Sequence, residues 1–106
     1  MTTKHHPILT NRIRRVPSRF SWIDHRLVRD RHIERLTHPA AALYLFLVTV
    51  GDSNGLSWYG DDSIMARLSM YEDAFREARI NLIQNGMIAW REPLYQVLNL
   101  ERSEDK

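Results

Sequence analysis

Residues 63–100, SIMARLSMYEDAFREARINLIQNGMIAWREPLYQVLNL, decide how this chain folds. A short helical pattern ends at Leu68, a tight turn follows, and a longer helical pattern runs on to Gly86. Ser69 followed three residues later by Glu72 has the spacing of a capping box, which predicts a helix starting near Met70, running to Asn85 and stopping at Gly86. Phe75, Ala78 and Leu82 recur at helical spacing and form its inward stripe. Met87–Arg91 and Leu94–Leu100 then alternate as strands do. Glu92 and Pro93 join them into an expected hairpin, although the turn lacks the Asn-Gly signature.

Working upstream, Leu56–Tyr59 reads as a short strand, and Asp61 or Asp62 as the cap of a helix running through Leu68. Gly51 and the run Asp52-Ser53-Asn54-Gly55 break the preceding element and turn the chain. That element is the central helix, Ala40–Val50, with Thr37 as N-cap and Pro39 in the first turn, where a missing donor is tolerated. It is apolar on nearly every face, so it expects burial from several sides or an oligomer contact. A strand competes locally, because valine and aromatic residues favour one. Asp24 is placed to cap an earlier helix with Leu27, Val28, Ile33 and Leu36 as a loose apolar stripe. Phe20, Trp22 and Ile23 around Ser21 read as a short edge strand after Pro17. Residues 1–18 have no period and read as a mobile arm, and the tail from Glu101 as a charged, frayed end.

With 106 residues and a 43% apolar composition, the chain supports one modest core. The expected class is mainly α with a small β-sheet (α+β): a basic arm over residues 1–19, a domain over 20–100 and a charged tail over 101–106. Cysteine is absent, which excludes disulfides and thiol chemistry. The most apolar run, Ala40–Val50, is far shorter than the roughly twenty residues of a membrane span, and no secretory leader pattern opens the chain. A soluble, cytoplasmic protein is expected.

The net charge of +2 conceals an asymmetry. Residues 1–35 carry nine basic and three acidic side chains, and residues 36–106 carry six basic and ten acidic ones. Attraction for a polyanion is therefore concentrated in the first third.

From Phe20 to about Leu100 the sequence resembles winged helix-turn-helix domains of plasmid and phage replication initiators and of DnaD-type primosomal proteins. The resemblance rests on PSRFSWI, HPAAALYLFLVTV, GLSWY, DDSIMARL and NLIQNGMI. It implies a winged-helix fold, DNA binding, and a place in replication, transposition or transcription regulation, since small proteins of this kind often accompany mobile elements. In that family the turn before the third helix commonly carries Gly, then Ser or Thr and several basic residues that touch DNA. Here Ser69, Met70, Tyr71, Glu72 and Asp73 stand instead, and Arg79 takes a position where the family has a core Leu.

On that third helix Glu72, Arg76 and Ile83 lie to one side of the inward stripe, with Asp73, Glu77 and Ile80 further round on the outer surface. Glu72 and Asp73 complement the positive N-terminal end of the helix by up to about 1 kcal/mol. Arg76, assisted by Arg79 or Tyr71, is the candidate base reader, since a bidentate arginine on guanine gives about 1 to 3 kcal/mol of discrimination. Arg12, Arg14, Arg15 and Arg19 are candidate phosphate or minor-groove contacts, against the plainer reading of a solvated tail. Arg26 and Arg29 are candidate backbone clamps, alongside Arg31 and Arg35, on what is otherwise a solvated helix face. Arg91, the only basic residue of the hairpin, is a further candidate nucleic-acid contact. Trp90 and Tyr95 offer base stacking, although packing explains both.

No histidine pair has zinc-site spacing, Asp61 and Asp62 read as a cap, and no phosphate loop or nucleophile elbow is present. No enzymatic activity, metal, cofactor, small-molecule substrate or membrane partner is expected. Two functions remain. One is a DNA-binding accessory or regulatory protein, often dimeric in this class. The other is a protein-interaction or dimerisation module using Ile80 and Ile83, with a replication or transposition protein or a second copy as partner.

Overall fold

A computed structural model describes residues 5–100. Its elements are helix α1 (Arg26–Arg29), helix α2 (His38–Val50), strand β1 (Leu56–Trp58), helix α3 (Asp61–Leu68), helix α4 (Glu72–Gln84), and strands β2 (Ile88–Arg91) and β3 (Leu94–Val97), with 3-10 turns at Thr10–Arg12 and His32–Arg35. The architecture is α+β. Among the described residues no helix is long and apolar enough to cross a membrane.

Helix α2 starts where the sequence places its cap: the Thr37 hydroxyl accepts the Ala40 amide at 3.2 Å, and Pro39 occupies the first turn. Ala40, Leu43, Tyr44 and Leu47 are buried, while Leu45 faces outward. The helix packs against α4, whose Phe75, Ala78 and Leu82 are fully buried as their spacing predicts. Each large side chain withdrawn from water here contributes roughly 1.5 to 3 kcal/mol.

The three strands form an antiparallel sheet in the order β1-β3-β2, with Ser57 and Trp90 both opposite Tyr95. Gly55 enters β1 at φ +80°, and its carbonyl accepts the Val97 amide at 2.9 Å. Gly86, at φ +68°, ends α4 and lets the Met87 amide reach back to Leu82.

Several local expectations are corrected. Phe20–Ile23 is not a strand; its link to the body is the Ser21 hydroxyl, which donates to the Thr49 carbonyl at 3.0 Å. Alternation alone makes no strand without an edge to pair with, and this segment passes the end of α2 instead. The helix expected after Asp24 splits in two because Arg31 adopts the left-handed conformation at φ 65°, so Val28 and Ile33 remain exposed. The Ser69 capping box does not form. Ser69 is itself left-handed at φ 55° and closes α3, while Tyr71 precedes α4 without a side-chain cap. Asp61 is the first residue of α3, after Gly60, and does not cap it. Strand β3 ends at Val97, although the Leu98 amide still donates to Met87. Residues 1–4 and the tail from Glu101 lie outside the described residues.

Candidate nucleic-acid interface

The arm presents the most open cationic surface. Every residue from His5 to Ile23 is exposed, no acidic residue interrupts that stretch, and among the described residues Arg12, Arg14, Arg15 and Arg19 enter no ion pair. A 3-10 turn at Thr10–Arg12, closed by the Arg12 amide on the Leu9 carbonyl at 3.1 Å, is its regular feature.

The basic residues that follow are partly neutralised. Arg26 grips Asp24 through Nε at 3.0 Å and Nη2 at 2.6 Å, and Asp24 Oδ1 accepts the Arg26 amide. The guanidinium bond, reinforced by that amide, holds the Asp24 carboxyl down to about 2. Arg29 lies 3.7 Å from Asp30 and Arg31 3.9 Å from Glu34, and all of these except Asp30 are well exposed. Arg35 offers its carbonyl to Asn81 of α4, which fixes the His32–Arg35 turn against that helix.

The outer face of α4 is anionic. Arg76 pairs with Glu72 at 2.9 Å, one turn away on the same helix, which leaves Asp73 and Glu77 uncompensated. Tyr71 is 89% exposed at the start of the helix, and Ile80 and Ile83 are 51% and 41% exposed further along. Arg91 ends β2 in the open, with no ion pair among the described residues.

Arg79 belongs to a different environment. Expected beside Arg76 as a DNA contact, it is 8% exposed and points inward. Its Nη1 donates to Asp61 Oδ1 at 3.0 Å and to the Tyr95 hydroxyl at 2.9 Å, and the guanidinium lies over the rings of Trp90 and Phe75. Burial works against its charge, but Tyr95 and Asp61 outweigh that penalty and move its pKa up. Burial likewise raises the Tyr95 phenol. With these donors committed, Arg79 leaves the set of candidate contacts. Trp90 and Tyr95, stacked on each other at 6.2 Å, are packing residues of the same cluster.

A cavity of about 550 Å³ lies beneath Phe20–Asp24, walled by Tyr44 and Val48 of α2, the turn at 51–55 and residues 97–100. Its size suits a small molecule. Its two carboxylates are already engaged, Asp24 by Arg26 and Asp52 by the amides of Asn54 and Leu56. The cavity is thus more apolar than polar, and neither of its carboxylates is free.

The structure thus separates the predicted residues into an open arm, a half-neutralised turn region, an acidic helix face and an inward Arg79. Arg67 escaped the sequence reading. It is exposed in the last turn of α3 and enters no ion pair among the described residues. Among known proteins, the chain has no significant match to a family model, a curated sequence or a solved structure.

Proposed function

We propose that this chain is a winged-helix DNA-binding protein, an accessory or regulator in a replication or mobile-element system, in which the N-terminal arm supplies most of the affinity. The element order from α2 to β3 and the β1-β3-β2 sheet suit a winged helix, with α4 as the helix that would enter a groove. The observation that carries the DNA reading is the arm itself: Arg12, Arg14, Arg15 and Arg19 stand open to solvent with no acid among them. Each places a guanidinium where a phosphate can take it without first breaking an ion pair. Helix α4 adds little attraction, because Arg76 is tied to Glu72 and Arg79 faces the core. Binding is then dominated by phosphate contacts and tolerant of sequence.

Neutralising about four phosphates gives a salt slope near −3.6, so affinity for a random duplex falls roughly 150-fold between about 50 and about 200 mM salt. A salt-titrated binding assay on the parent and on Arg12→Glu/Arg14→Glu/Arg15→Glu tests this. The variant is expected to lose the slope and most of the affinity for every sequence. Equal binding by the two proteins removes the arm as the anchor.

A second reading is favoured by the exposed Ile80 and Ile83 amid the acids of α4. A face of that composition suits a protein surface better than a phosphate groove.

A further inference from the structure

We propose that the outer face of α4 receives the N-terminal arm of a second copy of this chain. Opposite the buried stripe of Phe75, Ala78 and Leu82, helical phase brings Asp73, Glu77 and Ile80 together, flanked by Glu72, Arg76 and Ile83. That face combines two exposed isoleucines with three acids against one arginine. The arm carries the complement: Arg12, Arg14, Arg15 and Arg19 with no acid, interleaved with Ile8, Leu9, Ile13 and Val16, of which Ile8 is 98% exposed. Each surface offers the charge and the apolar area that the other needs.

Dimensions agree. With its 3-10 turn at Thr10–Arg12 kept, Ile8–Val16 spans up to about 25 Å, and the thirteen residues of α4 rise about 20 Å, so the segment is long enough to follow the helix.

Every residue from His5 to Ile23 is exposed, so the arm is not packed on its own α4 and leaves that face open to another molecule. Its root is fixed by Ser21 at Thr49, near the C-terminal end of α2, whereas Asn81 of α4 meets the chain at Thr37, just before the N-terminal end of α2, about 20 Å away. The radius of gyration is 16.2 Å, against about 13 Å for a globular chain of this length, and His5–Ile23 is exposed throughout. A two-fold exchange lets both arms dock at once and closes the assembly at two copies.

The proposal stands apart from DNA binding and is tested without DNA, by sedimentation of the full chain at low and high salt. The parent is expected to dimerise at low salt and to dissociate as salt rises. Arg12→Glu/Arg14→Glu/Arg15→Glu gives an acidic arm, and Asp73→Lys/Glu77→Lys gives a basic helix face; alone, each faces like charge and is expected to be monomeric. Mixed, each arm meets an opposite face, and a heterodimer is expected. All five positions are exposed, and matching circular dichroism spectra establish that the variants are folded. Should either variant misfold, Ile80→Ser replaces it, with an expected weakening of about tenfold. A monomeric parent at low salt, undiminished association of the single variants, or a mixture that stays monomeric overturns the proposal. An arm folded back on its own α4 gives the first of these results.

Discussion

The Arg79 guanidinium carbon lies 3.7 Å from the centroid of the Trp90 ring, so a cation of α4 is clasped by the hairpin that follows it. The same side chain reaches Asp61 at the start of α3 and the Tyr95 hydroxyl on β3. One residue thereby ties both helices of the helical pair to the sheet.

Arg79→Ala is expected to destabilise the fold by about 2 to 4 kcal/mol, since it empties volume between two rings and strips the buried Tyr95 hydroxyl of its donor. Arg79→Leu fills the volume and is expected to cost less, about 1 to 2 kcal/mol. Urea unfolding of the two variants checks the order. Equal losses would mean that the cation itself, and not the filled volume, is what the site requires.

Positive-φ positions give a second comparison. A Cβ at Gly55 would lie 2.7 Å from the Val97 carbonyl oxygen at φ +80°, whereas a Cβ at Gly86, at φ +68°, meets nothing within 4 Å. Gly86→Ala therefore carries only backbone strain, about 1 kcal/mol, and Gly55→Ala adds a clash with the strand it pairs with and is expected to cost at least twice that. Ser69→Gly runs the other way: it relieves a left-handed serine at φ 55° and is expected to stabilise by about 0.5 to 1 kcal/mol. Thermal midpoints of the three variants test the series.

These positions also explain what the sequence disclosed. Thr37, Pro39, the Phe75-Ala78-Leu82 stripe and Gly86 are legible because a cap, a period and a stop are local signals. The capping box at Ser69 misled because the preceding helix needed that residue as its left-handed end. Arg79 lies four residues after Phe75 and three before Leu82, so its inward phase was readable. Its partners are 18 and 16 residues away, and no local pattern announces them. The openness of the arm is readable from its composition and the Glu72–Arg76 pair from its i, i+4 spacing, whereas the grip of Arg26 on Asp24 depends on side-chain geometry.

The Asp24 carboxyl, held at about 2 by Arg26 against an ordinary 3.8, predicts a pH dependence. A depressed acid binds its proton more weakly in the folded chain than in the unfolded one, so its contribution is present above 3.8 and is lost as pH falls through that value toward about 2. The thermal-midpoint gap between the parent and Asp24→Asn is expected to be constant above about pH 5 and to narrow in acid. A gap that persists at the acid end would show that the loss in Asp24→Asn does not come from the carboxylate charge.

Glu72→Gln separates the two uses of α4. The Glu72–Arg76 pair is exposed on both sides, so breaking it costs only about 0.3 to 0.5 kcal/mol of stability. The substitution removes one negative charge from the outer face and frees Arg76. If α4 lies against DNA, affinity is expected to rise and the salt slope to steepen by about one contact. If the face holds a basic arm, the same change removes an attraction, and self-association is expected to weaken at low salt. The two readouts move in opposite directions, and a fold defect would lower both. Stronger DNA binding with weaker dimerisation would place the arm and DNA in competition, with duplex DNA drawing the arginines away from α4. A variant that binds DNA with unchanged salt slope would keep α4 off the phosphates altogether and leave the arm as the contact.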